Sequence, residues 1–267
     1  MDRFRTACWR CLGEVRYGIP PLQPDEHVVK ILALDAAGAV SSVALTIDGR
    51  LAARRDYDRA RGQAEILIPL IEAVLAEAGC AIDAIDRFAV GIGPGGFTGL
   101  RIAIATARGL ALATGRPLIG ISGFEALAHG LDPAIRRNRT VVAVIDSQRA
   151  DPYLQGFDAD LVPLGAPITA TAGSLPALLI RHATGPAGAD LVGAILVGDG
   201  IDRLRADLAG IPDLVLRPAA VDAAVIAGRA ECRPLPAPLP SPLYLRPPDV
   251  TLPAGQPDAD RSGQVVS

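Results

Sequence analysis

The stretch Gly93-Pro-Gly-Gly-Phe-Thr-Gly-Leu-Arg101 constrains the fold more than any other part of the chain. Before it lies Phe88-Ala-Val-Gly-Ile92, an apolar run of strand length; after it comes Ile102-Ala-Ile-Ala-Thr-Ala-Arg-Gly-Leu-Ala-Leu-Ala113, rich in strong helix formers. The pattern predicts a buried strand, a glycine turn and a helix. Glycines there serve one of two ends. They let amides at a helix start hold an anion, with Gly95 and Gly96 as the candidate cradle, or they let the backbone pass close to a neighbour.

The chain has 267 residues, half of them hydrophobic, which is enough for a sizeable core in one or two domains. Its net charge of −3 supplies no basic field for gripping a nucleic-acid backbone alone. Lys30 is the only lysine, which we read as base composition of the genome. No apolar run approaches the ~20 residues that span a bilayer, and the first residues lack a signal-peptide core. A cytoplasmic protein with reduced thiols is expected, and Cys8, Cys11, Cys80 and Cys232 are too scattered for a disulfide framework.

Residues 1–27 show no periodicity and contain Pro20, Pro21 and Pro24; they are expected to be disordered, or to precede a true start at Val28 or Val29. From Val28 the order reads β-β-β-α-β-α-β-α. Val28 to Asp35 is a buried strand ending in an acid. Asp48-Gly49 is a hairpin turn between two strands. Residues 63–78 form a helix interrupted at Pro69 and closed by Gly79. A strand at 117–121 follows, with Ser122 capping a short helix.

The second half reads as a degraded copy. Thr140 to Asp146 again ends a strand in an acid, 153–157 and 166–170 supply two more strands, 174–183 a helix, and Ile195-Leu-Val-Gly-Asp-Gly-Ile201 a second strand and glycine turn. Asp35 to Asp146 and Gly91 to Gly198 share an offset of about 110 residues, the mark of an internal repeat. An α/β chain of two mixed-sheet subdomains with flanking helices is expected, over 28–132 and 133–232, with a proline-rich tail over 233–267. Two acid-ended strands facing one cleft is the layout of the actin-like ATPase (ribonuclease H-like) fold, reached by analogy.

Other chemistry is thinly supported. Gly91-x-Gly93-x-x-Gly96 fits a dinucleotide fingerprint literally, but follows the fourth strand instead of the first and lacks the acid on the next strand. A Walker A loop needs a lysine after its glycine, and Lys30 is elsewhere. Cys8-Trp-Arg-Cys11 has no second ligand pair, and His27, His129 and His182 have no metal-ligand spacing. Ser41, Ser42 and Ser122 lie in no G-x-S-x-G elbow. Asp35 and Asp146 are the better candidates, either for phosphate chemistry or as acids that bond turn amides.

Two helices carry more apolar surface than one core requires. Gly99, Ala103, Ala107 and Ala111 recur every four residues beside Leu100, Ile104 and Leu112, and the 63–78 helix is apolar at Ile66, Leu67, Ile68, Leu70, Ile71, Val74 and Leu75. A sheet covers one side; a partner helix is expected on the other, at Ile66, Leu67, Leu70, Ile71, Val74, Gly99, Leu100, Ala103, Ile104, Ala107 and Ala111.

Ile31-Leu-Ala-Leu-Asp35, Ser42-Val-Ala-Leu45, Gly91 through Ile102, Gly109-Leu-Ala and Tyr244-Leu-Arg246 together resemble the bacterial TsaB (YeaZ) family over roughly residues 29–250. The resemblance implies the duplicated actin-like fold and no catalytic or metal-ligating residue of the chain's own. It implies a heterodimer with TsaD, which transfers threonylcarbamoyl to N6 of adenosine 37 in tRNAs reading ANN codons, with the ATPase TsaE completing the assembly. The contact would be a bundle of the first two helices of each partner. The tRNA would be met only through the complex. The chain alone is expected to hold no cofactor, the joint with TsaD is a place for ATP or ADP, and a homodimer is left open. Gln63 stands where many relatives keep a histidine, and Ala36-Ala-Gly38 where they often have threonine. The alternative is an actin-like phosphotransferase using Asp35 and Asp146 with Mg²⁺ and ATP.

Overall fold

The computed structural model describes residues 28–58, 63–149, 151–170, 193–209 and 211–246. The expected 174–183 helix, the leader, Cys8, Cys11, His27 and His182 lie outside them.

The first sheet grows from β1 (Lys30–Asp35), whose residues from Ile31 onward are buried. Side chains alternate across a strand, so Leu32 and Leu34 enter one apolar layer while Ile31 and Ala33 enter the opposite one. With both faces covered, the strand reads as an unbroken apolar run. β2 (Val40–Ile47) pairs antiparallel to β1, and β3 (Arg50–Asp58) antiparallel to β2. The hairpin turn between them is Asp48-Gly49, with φ of 49° and 70°, the positive pair that suits the twist of a two-residue turn. After α1 (Gln63–Glu77), β4 (Arg87–Gly91) returns parallel to β1; after α2 (Phe97–Thr114), β5 (Leu118–Ile121) lies parallel to β4. The strand order is β3-β2-β1-β4-β5, which leaves β3 on one border and β5 on the other.

The helix ends follow local chemistry. α2 stops at Gly115, whose left-handed φ of 67° lets its N–H reach the Ala111 carbonyl. α3 (Gly123–His129) starts from Ser122, whose hydroxyl accepts the Glu125 N–H at 3.1 Å. α4 (Pro133–Arg136) starts from Asp132.

The second sheet repeats the first. β6 (Val141–Ile145) pairs antiparallel with β7 (Tyr153–Phe157), β7 pairs antiparallel with the two-residue β8 (Ile168–Thr169), and β9 (Ile195–Val197) and β10 (Val215–Arg217) run parallel beyond β6. Its order, β10-β9-β6-β7-β8, is the order of the first sheet read from the other end. A 3₁₀ turn (Ile201–Leu204) and α5 (Arg205–Leu208) follow β9. The last helix, α6 (Ala223–Glu231), returns to the first sheet and packs across β1, β2, β4 and β5. Neither β10 nor α6 is foreseen in the sequence reading.

Each sheet therefore has two covered faces. α1 and α2 lie side by side on one face of the first sheet, and α6 on the other. α3 covers one face of the second sheet and also touches α6. Glu125 of α3 holds Arg229 of α6 at 2.9 Å and Arg233 just beyond it at 2.6 Å. The same contacts bear on His129: burial first, then the charges of Arg229, Arg136 and Arg233, lower its pKa to about 3 and keep the ring neutral. No helix among the described residues is long and apolar enough to cross a membrane.

Candidate functional site

The glycine turn lies between β4 and α2, facing the turn that follows β1. A side-chain carbon at Gly95 would sit 2.3 Å from the Ala37 carbonyl oxygen, and the Gly96 N–H donates to that same oxygen at 2.7 Å. Gly93, at a φ of 86°, offers its own carbonyl to the Gly123 N–H at 2.7 Å. The glycines thus serve close packing within the chain, and the Gly96 amide offered as part of an anion cradle is already taken.

Asp35 and Asp146 end the central strands of the two sheets, and Asp199, which the sequence reading passes over, bears on both: it accepts the Asp146 N–H and its charge acts on Asp35. Asp35 is 1 % exposed and accepts the Ala37 N–H at 3.2 Å. Burial raises its pKa to about 7; the Ala37 N–H opposes the rise and the Asp199 carboxylate adds to it. Burial likewise raises Asp199, which accepts the Asp146 N–H at 2.8 Å. Asp146 accepts the Gln148 N–H at 2.7 Å and pairs with Arg203 at 2.7 Å. Asp35 and Asp146 therefore both bond turn amides, the plainer of their two readings. Among the described residues no three His, Cys, Asp or Glu side chains gather into a set that could hold a metal ion. The signal for Asp199 is its place between Gly198 and Gly200 in the repeated glycine turn. A separate cleft of about 310 Å³, lined by Leu127, Leu131, Ile135, Val197 and Val225 among others, takes in none of the residues singled out in the sequence.

The two helices need a correction. Leu67, Leu70, Ile71, Val74, Gly99, Leu100, Ala103, Ile104, Ala107 and Ala111 are buried against β1, β2 and β4 in the chain's own core, and Ile66 is half-buried there. The apolar arc is wide because it fills the groove between the helices as well as the sheet beneath them. Ala107→Trp, with no exposed surface at that site, should therefore unfold the first lobe instead of blocking a partner, read as a drop in melting temperature of the isolated chain. The outward faces are different residues. α1 exposes Ile68, Pro69, Ala73 and Ala76 between Glu65, Glu72 and Glu77; α2 exposes Ala105, Gly109, Leu112 and Ala113 between Arg101, Arg108 and, just past its end, Arg116. Leu112 is 86 % exposed and Ile68 44 %. This is a shallow surface of small apolar groups with one protruding leucine, bordered by acids on one helix and arginines on the other.

Two copies of one three-stranded meander with two parallel crossover strands define a duplicated actin-like ATPase fold. Comparison with known proteins narrows this. The family model described as TsaD, tRNA N6-adenosine threonylcarbamoyltransferase, matches residues 58–168. The chain is 36% identical to the tRNA threonylcarbamoyladenosine biosynthesis protein TsaB of Escherichia coli K12 over 49% of its own length and 56% of that protein. It is 30% identical to an uncharacterized protein of Mycobacterium bovis over 62% of itself and 76% of that protein. A solved Pseudomonas aeruginosa protein with similarity to peptidase YeaZ superposes with a TM-score of 0.66 at 28% identity, covering 82% of this chain and all of that one. The chain is thus similar to the TsaB/YeaZ proteins in sequence and in fold. It spans about half the length of the named TsaB proteins it matches.

Proposed function

We propose that this chain is a non-catalytic dimerisation subunit in the formation of N6-threonylcarbamoyladenosine at position 37 of tRNAs reading ANN codons, and that it acts by binding a TsaD-type catalytic subunit. Similarity to the TsaB proteins supports the pathway. The observation that carries the docking role is the outward face of α1 and α2, where Ile68, Ala105, Gly109 and Leu112 stand exposed on adjacent helices. Small side chains let a second pair of helices approach closely, and a protruding leucine supplies an anchor for a pocket on the partner. The facing acids and arginines favour a partner whose helices present the opposite order of charge. Binding the competent form of the partner raises its population by mass action, with no bond made or broken by this chain. TsaE and tRNA would join through the catalytic subunit, and any ATP or ADP would lie at the joint.

Leu112→Glu tests the face directly. The side chain is almost wholly in solvent, so the isolated chain should keep its melting temperature within about 1 °C. Affinity for TsaD, measured by calorimetry, should fall at least ~100-fold, the range expected when an interface anchor is replaced by a charge. A complex that survives unchanged would place the contact elsewhere. No observation favours the phosphotransferase alternative, because Asp35 is enclosed in the turn after β1 and Asp146 is engaged by Arg203.

A further inference from the structure

The segment containing Tyr244-Leu-Arg246 engages Arg101 and Arg108 at the border of the docking face, and it makes contacts on both lobes. Leaving α6, the chain passes the far edge of the first sheet, where Pro240 is buried: a side-chain carbon at Gly120 of β5 would lie 3.0 Å from its ring, and the Arg108 guanidinium of α2 donates to its carbonyl. The Leu243 N–H then donates to the Ile92 carbonyl at 2.8 Å, just past β4. Tyr244 stacks on Phe97 at the start of α2 with ring centroids 5.8 Å apart, and its hydroxyl accepts from Arg101 at 2.8 Å; the same guanidinium lies 3.7 Å from the Phe97 ring centre. All these are contacts with the first lobe. Leu243 and Leu245 point the other way, into the apolar layer between α3 and the second sheet. Arg246 closes the run by pairing with Asp151, before β7, at 2.6 Å.

We propose that residues 240–246 are an interlobe latch that fixes the angle between the two sheets. Apart from this segment, the chain crosses between lobes twice, from β5 to α3, which packs on the second sheet, and back from β10 to α6. Two crossings, joined by the Glu125 pairs to Arg229 and Arg233, still permit hinge motion, and a further tie, made to the start of α2 and to the turn before β7, resists it. The latch is also built to release. Tyr244 and Phe97 are each more than two-fifths exposed, and Arg246 and Asp151 keep contact with solvent, so these contacts are individually weak and only the leucines are inserted. The alternation is strict: Leu243 and Leu245 face inward, Tyr244 and Arg246 reach to one lobe each.

The test uses the full chain with Cys8, Cys11, Cys80 and Cys232 changed to Ser and spin labels at Glu72→Cys and Ala206→Cys, exposed sites on opposite lobes. The parent should give one narrow distance distribution by pulsed electron resonance. Tyr244→Ala with Arg246→Ala should at least double its width and speed amide exchange of Leu243 by about tenfold or more. Asp151→Ala removes the same tie from the other side and should act in the same direction, so a folding defect peculiar to one variant does not decide the matter. A parent distribution that is already broad overturns the latch. So does an unchanged width in the variants, whether or not exchange at Leu243 quickens.

Discussion

Gly198→Ala should lower the melting temperature of the isolated chain by roughly 10 °C, from a loss of about 3 kcal/mol or more. Gly198 sits at the end of β9 with a φ of 138°, and a side-chain carbon there would lie 1.9 Å from the Val144 carbonyl oxygen and 2.8 Å from its carbon. The obstacle is backbone in the central strand of the second sheet, so nothing can rotate aside. The first sheet has a related close approach with a different remedy. A side-chain carbon at Gly91 would meet the Asp35 carboxylate at 1.9 Å. Gly91→Ala should therefore destabilise as well, but Asp35→Ala in the same chain should recover most of the loss, giving a strongly non-additive cycle. Gly109, with nothing within 4 Å on the exposed side of α2, is the control: its change to Ala should be neutral or slightly stabilising. Additive behaviour of Gly91→Ala and Asp35→Ala would mean that the carboxylate does not occupy that space.

The second large effect is on pH dependence. The Asp35 carboxyl ionises near 3.8 when exposed and at about 7 in the fold, chiefly because burial penalises its charge. Between these values the unfolded chain has released a proton that the folded chain keeps. The contribution of Asp35 is thus fully present below about pH 4, declines as pH rises, and is gone above about 7. At ~1.4 kcal/mol per pH unit, the decline amounts to about 4 kcal/mol. Asp35→Asn, which cannot ionise, should flatten the denaturant-midpoint profile across that window. Asp199, Asp222 and Glu231 are also raised by burial and leave some slope behind, so the difference between parent and variant is the readout. Identical profiles would show Asp35 to be ionised at neutral pH, and the acid would regain its standing as a cation ligand.

The sequence carries the repeat openly, because a strand ending in an acid and a strand ending in a glycine recur at one offset in both halves. The Asp48-Gly49 hairpin and the Ser122 cap are legible for the same reason: each is local chemistry with one favoured geometry. What one chain's sequence leaves open is which side of a greasy helix faces home. Ala103, Ala107 and Ala111 form a small-residue stripe that suits a partner helix or a neighbouring element equally, and periodicity alone carries no sign for inward. The exposed stripe one step round, Ala105, Gly109 and Leu112, was visible as residues but not as a face. β10 and α6 were missed because three residues of strand and nine of helix, near Pro218 and Cys232, fall below the length at which a period can be read. Asp199 and the latch were missed because their partners lie far away in the chain.

The two borders of the first sheet are guarded by opposite means. β5 is shielded by Pro240 and the segment running on from it. β3 carries Arg50, Arg54, Arg55, Asp56 and Asp58 along its length. Ion pairing ties Arg54 to Asp56 and Arg55 to Glu77. A bare rim of amides and carbonyls invites stacking of one molecule on the next into fibrils, and charge or cover forestalls it. Charge along one rim and cover over the other thus both disfavour edge-to-edge stacking through the first sheet.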